Sequence, residues 1–109
     1  MAGIGTYLLS LLTEGVVIGM LFWAITYLTL ESTSLSGALR AAFIAEAVGN
    51  LPYLFGTPGL SPPGIAMTMI AALIFWRLII RIGELTPFKA AYGVSMTYFV
   101  LVALVACNA

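Results

Sequence analysis

The sequence predicts an all-α integral membrane protein, a bundle of four transmembrane helices in a single domain over residues 1–109. Of the 109 residues, 62% are apolar and 7% are charged, whereas soluble domains carry about 25% charged residues. A soluble fold this small could not bury so much apolar surface. Four helices of roughly 20 residues, each long enough for a hydrocarbon core of about 30 Å, use nearly the whole chain.

The first two predicted helices are separated by a short polar turn. The first covers residues 7–30 and contains one charged residue, Glu14. The turn begins at Glu31, and Ser34 at its end is a residue type that caps helices by accepting a bond from free backbone amides. The second helix covers residues 35–55 and is the least hydrophobic of the four.

A loop rich in proline and glycine precedes the third predicted helix. Residues 56–64 contain three prolines and three glycines, which cannot continue a helix. The third helix covers residues 65–83 and the fourth covers residues 87–106. Pro87 suits the first turn of the fourth helix, because its missing N–H leaves no helical hydrogen bond unmade there.

The basic residues predict the orientation of the chain. All four lie beside the first or third turn, which share one side of a four-helix chain. The positive-inside rule places that side in the cytoplasm, so both termini are expected outside it, in a bacterial or archaeal inner membrane. Long basic side chains also reach lipid headgroups. The four residues are Arg40, Arg77, Arg81 and Lys89.

The two halves of the chain share a pattern that suggests duplicated helical hairpins. Phe22-Trp23 is followed by Glu31, eight residues after the tryptophan, and Phe75-Trp76 is followed in the same way by Glu84. Duplication would give two hairpins in parallel orientation, an arrangement found in transporters. The alternative is that membrane helices draw on few residue types and share an aromatic and basic belt. Both interpretations stay open.

Glu14 is the first candidate for a functional group inside the membrane. It lies about seven residues inside the first predicted helix, roughly 10 Å from the outer end. A carboxylate at that depth is costly unless it is paired or hydrated. One interpretation is a group that binds and releases protons. The other, which we prefer from sequence, is that Glu14 reaches water or a polar group of a neighbouring subunit.

Glu46 is the second candidate, near the middle of the second predicted helix. Asn50 follows at i+4, so the two side chains share a face. Glu46 needs a partner on another helix, a proton or a wet cavity, and Arg77 is the basic residue closest to it in depth. A buried hydrogen bond that fixes helix packing explains the pattern as well as transport chemistry does.

Small residues recur at every fourth position on the first two predicted helices. This spacing lets helix backbones approach closely in a bilayer. The small residues are expected to pack within the chain, or to receive a partner subunit. They are Gly15, Gly19, Gly37, Ala41, Ala45 and Gly49.

The residue types that the chain lacks exclude several functions. Without histidine and with only Cys107, no metal site or haem ligation is expected, and we predict no catalytic residues and no cofactor. A formal net charge of zero without a basic run makes nucleic acid an unexpected partner. The aromatic side chains are expected to face lipid or the interface. They include Tyr7, Phe22, Trp23, Tyr27, Trp76 and Tyr98.

Two functions follow from these observations. The first is a non-catalytic accessory or scaffold subunit of a membrane complex, with other membrane subunits or copies of itself as partners. The alternative rests on the run Leu12-Thr13-Glu14-Gly15-Val16-Val17-Ile18-Gly19, which, with the chain length and four helices, resembles the small multidrug resistance transporters. That resemblance implies an antiparallel dimer in which Glu14 exchanges protons for cationic compounds.

Overall fold

The computed structural model of the chain describes residues 2–29, 34–55, 62–82 and 85–107. Over these ranges the chain is helical and contains no β-strand, which confirms the all-α prediction. The helices are α1 (Ala2–Thr29), α2 (Leu35–Gly49), α3 (Leu51–Leu54), α4 (Pro62–Ile82) and α5 (Pro87–Cys107).

Among the described residues, three helices are long and apolar enough to cross a membrane. They contain the segments Gly3–Thr29, Pro62–Ile82 and Pro87–Leu104, with mean hydropathies of 2.0, 2.0 and 1.3. Their length and composition identify a membrane protein. The helix α2, with 15 residues, is about 22 Å long and does not by itself reach across a core of about 30 Å.

The predicted second helix over residues 35–55 is interrupted at Asn50. The backbone of Asn50 leaves the helical conformation (φ −95°, ψ 5°), and α3 begins at the next residue. Pro52 explains the break, because its ring clashes with the carbonyl group four residues earlier and it has no N–H to donate. Ser34 does cap α2, as its hydroxyl accepts a hydrogen bond from the Gly37 N–H at 3.0 Å.

Two other helix starts differ from the sequence-based bounds. The helix α1 begins at Ala2, five residues before the predicted start at residue 7. The helix α4 begins at Pro62, three residues before the predicted start at 65. The first N–H groups of a helix have no partner within it, so prolines are accepted in this turn.

The four longer helices form a ring. The helix α1 contacts α2 and α5, and α4 contacts the same two helices. Along α1, an added Cβ at Gly15 would meet Phe43 of α2 and one at Gly19 would meet Leu39, so α1 and α2 run antiparallel. On α5, Gly93 lies against Phe22 of α1.

Two aromatic rings fill the centre of this arrangement. Phe22 of α1 and Phe75 of α4 are fully buried. Their ring centroids lie 4.9 Å apart at an interplanar angle of 62°, an edge-to-face contact, which is a favoured geometry for aromatic pairs. The contact joins α1 and α4 across the ring, so the ring has an apolar interior on this side of the carboxyl groups described next.

Candidate intramembrane carboxyl site

The carboxyl groups of Glu14 and Glu46 lie next to each other between α1 and α2, close enough to interact by charge and by a hydrogen bond. Because α1 begins at Ala2, Glu14 lies 12 residues into the helix, about 18 Å from its start. Its depth is therefore greater than the roughly 10 Å expected from sequence. The structure places both acidic side chains between α1 and α2, with Glu46 buried and Glu14 half-buried.

Glu46 accepts two further hydrogen bonds and is almost completely buried, with 4% of its surface exposed. The Tyr98 hydroxyl of α5 donates to Glu46 Oε1 at 2.9 Å. The Asn50 side-chain amide donates to Glu46 Oε2 at 3.3 Å and to the Glu46 backbone carbonyl at 2.9 Å. Helices α1, α2 and α5 thus each contribute to one polar cluster.

The hydrogen-bond pattern assigns different roles to the two carboxyl groups. A bond between two carboxyl groups requires a proton on at least one of them. Glu46 receives donors from Tyr98 and Asn50, which favours its ionised form. Glu14 is half-buried and receives neither of these donors, so a proton shared by the pair would lie on Glu14, which would then donate a hydrogen bond to Glu46.

Arg77 is not part of this cluster. Its side chain is exposed on α4, and within the described parts of the chain no basic group forms an ion pair with Glu14 or Glu46. Tyr98 was expected from sequence to face the interface or lipid. Its hydroxyl instead donates the hydrogen bond to Glu46 that was expected from Arg77 of α4. Its only sequence signal is a hydroxyl-bearing side chain in the middle of an apolar helix.

Close approach of α2 to its neighbours positions the carboxyl pair. An added Cβ at Gly49 would lie 2.7 Å from the Ala71 Cβ of α4 and 3.7 Å from Glu46 Oε2. Gly15 and Gly19 receive side chains of α2 rather than other small residues. The remaining small residues of the predicted set are buried on α2, namely Gly37, Ala41 and Ala45.

The basic residues lie at one end of the ring, away from the carboxyl pair. The end of α4 is joined to the start of α5 by a hydrogen bond from Trp76 Nε1 to the Pro87 carbonyl at 3.0 Å. The side chains of Arg40, Arg77 and Arg81 are exposed, and that of Lys89 is half-buried.

Over the described residues, no group of three or more histidine, cysteine, aspartate or glutamate side chains could hold a metal ion. Comparison of the chain with protein-family models, with curated proteins and with solved structures finds no match.

Proposed function

We propose that this membrane protein is a small proton-coupled transporter that exchanges protons for small cationic solutes. The carboxyl pair formed by Glu14 and Glu46 carries this proposal. Ionisable groups inside a membrane are costly, and they mark proton and ion pathways. The two carboxyl groups can share one proton, and no basic group lies beside them in the described residues. The pair can therefore bind and release a proton or another cation.

The carboxyl pair couples proton transport to cation transport because the proton and the cation compete for the same negative charge. Loss of the shared proton would leave two negative charges in contact in a medium of low dielectric constant, where their repulsion is strong. A cation near Glu14 removes that repulsion and so takes the place of the proton. Tyr98 and Asn50 hold Glu46 in place throughout. Binding of the proton and of the cation is therefore mutually exclusive, as exchange requires.

The proposal includes a topology with four crossings. The helices α2 and α3 together cover residues 35–54, about the length that one crossing needs. With α2–α3 as the fourth crossing, the basic end faces the cytoplasm. The end of α5 that carries Cys107 then faces outward.

The test uses protein reconstituted in liposomes that contain the pH indicator pyranine, with ethidium as the cationic probe. Adding ethidium outside, under an imposed pH gradient, should drive proton efflux from the liposomes and ethidium uptake. The Glu14→Gln variant should abolish the coupled fluxes, because its amide can donate to Glu46 but cannot release a proton. Glu31→Gln makes the same chemical change outside the described residues, in the polar turn, and should behave as the parent protein.

Unchanged exchange in the Glu14→Gln variant would refute this mechanism. If the parent protein and both variants show no exchange with ethidium or with other small cations, the transport proposal is also overturned.

A second candidate function is that of an accessory or scaffold subunit, and the partial exposure of Glu14 favours it. A half-buried carboxyl group at the edge of the ring can receive a donor from a neighbouring helix. Purification of the tagged chain in mild detergent should then recover a stable companion subunit or a homo-oligomer. Recovery of a monomer alone would count against this function.

A further inference from the structure

An open groove runs between α4 and α5 on the outer surface of the ring. Its volume is about 280 Å³, close to the lower end of about 300 Å³ for small-molecule pockets. Small side chains on both helices leave this space, because they do not extend far enough to close it. The lining residues are Ala72, Leu73, Trp76, Ala91, Val94 and Ser95.

Two arginines continue one wall of the groove towards the basic end of the ring. Leu73, Arg77 and Arg81 are spaced four residues apart and therefore share a face of α4. Leu73 lines the groove and is 63% exposed. The two arginines, both exposed, follow about 6 Å and 12 Å further along the helix axis. The groove itself is thus mostly apolar, and the guanidinium groups of Arg77 and Arg81 follow it along the same face of α4.

The charged residues of α4 and α5 are all basic, namely Arg77, Arg81 and Lys89. Neither α4 nor α5 contains an acidic residue. Trp76 stands level with the first residue of α5, since its indole N–H donates to the Pro87 carbonyl. Tryptophan is enriched near the membrane–water boundary, and long arginine side chains extend to the headgroups from inside the hydrocarbon layer. The guanidinium groups of Arg77 and Arg81 can therefore reach headgroup depth while the groove extends into the hydrocarbon layer.

We propose that this groove binds one anionic phospholipid, with an acyl chain between α4 and α5 and the phosphate on Arg77 and Arg81. The occupant must be apolar within the groove and negatively charged beside the arginines. A phospholipid with a net negative headgroup meets both requirements. Arginine suits the phosphate because its planar guanidinium can donate two parallel hydrogen bonds. This site is separate from the carboxyl pair and does not depend on the proposed transport.

The test is a lipid titration of the purified protein in detergent, followed by native mass spectrometry. Phosphatidylglycerol and phosphatidylcholine with identical acyl chains are compared. The parent protein should retain one phosphatidylglycerol at least tenfold more strongly than phosphatidylcholine. The double variant Arg77→Gln/Arg81→Gln should lose this preference, whereas Arg40→Gln, which removes an exposed arginine of α2 outside the groove, should keep it.

A second variant tests the groove without changing the arginines. Ala91→Leu places a larger apolar side chain at an exposed position of the groove wall and should lower phosphatidylglycerol retention at least tenfold. Equal retention of the two lipids by the parent protein would show that the retained lipid is the unspecific lipid around the protein, and would overturn the proposal. Retention unaffected by either groove variant would overturn it as well. If Ala91→Leu changes only the oligomeric state and leaves lipid retention unchanged, the occupant of the groove is a second copy of the chain, and the proposal is overturned.

Discussion

Substitution of Gly49 by alanine should destabilise the protein by separating α2 from α4. The new Cβ would lie 2.7 Å from the Ala71 Cβ, whereas two carbon atoms pack best at about 3.5–4.0 Å. The helices must therefore move apart by about 0.8 Å or more, the difference between about 3.5 Å and 2.7 Å. Overpacking of this kind costs about 1–3 kcal/mol. The higher helix propensity of alanine offsets up to about 1 kcal/mol of this.

The assay is equilibrium unfolding in one detergent, followed by far-UV circular dichroism. Gly5→Ala is the matched control, because a Cβ at Gly5 has no neighbouring atom within 4 Å. That variant should be as stable as the parent protein or slightly more stable. The Gly49→Ala variant should lose roughly 1–2 kcal/mol of unfolding free energy. If Gly49→Ala matches Gly5→Ala, the close contact of α2 with α4 at this point is refuted.

Three further predictions concern the carboxyl pair, a hydrogen bond between α1 and α2, and the orientation. Tyr98→Phe removes a donor from the carboxylate of Glu46 and should cost roughly 1.5–3 kcal/mol of unfolding free energy and weaken proton exchange. Tyr7→Phe removes a hydroxyl that donates to the Ala47 carbonyl at 2.7 Å. It should cost only about 0.6 kcal/mol of unfolding free energy and leave proton exchange intact. Equal losses of stability and of exchange in the two variants would contradict the assigned roles. The exposed Cys107 should react with a membrane-impermeant maleimide in intact cells, and labelling only after lysis would reverse the orientation.

The helical class could be predicted from sequence because its causes are local. Long apolar runs define α1, α4 and α5, and Ser34 marks the start of α2. The break at Asn50 was missed, although Pro52 stands two residues later. A proline inside an apolar run can produce a kink or an end, and contacts made elsewhere in the fold decide between them. The early start of α1 could not be predicted because residues 2–6 contain two glycines and two β-branched residues, which are weak helix formers.

The carboxyl site was only partly visible in the sequence. Glu14 and Glu46 stand out because acidic residues are rare in apolar helices, and Asn50 follows from its i+4 spacing. Their mutual hydrogen bond depends on how α1 faces α2, which no local pattern specifies. Tyr98 comes from a helix 52 residues away in sequence. Arg77 matched the depth of Glu46 by residue count, but depth says nothing about the face of α4 on which the side chain lies.

The contact between Glu14 and Glu46 also bears on how the chain enters the bilayer during synthesis. A helix as short as α2, with Arg40 and Glu46 in 15 residues, inserts poorly on its own, since one charged group at mid-membrane costs about 2.5–3.5 kcal/mol. Its hydrogen-bond partner lies on the helix made just before it. The two helices can therefore enter as one unit in which a hydrogen bond between the two carboxyl groups lowers the cost of placing them in lipid. Tyr98 of α5 then adds its hydrogen bond to a contact that α1 and α2 have already formed.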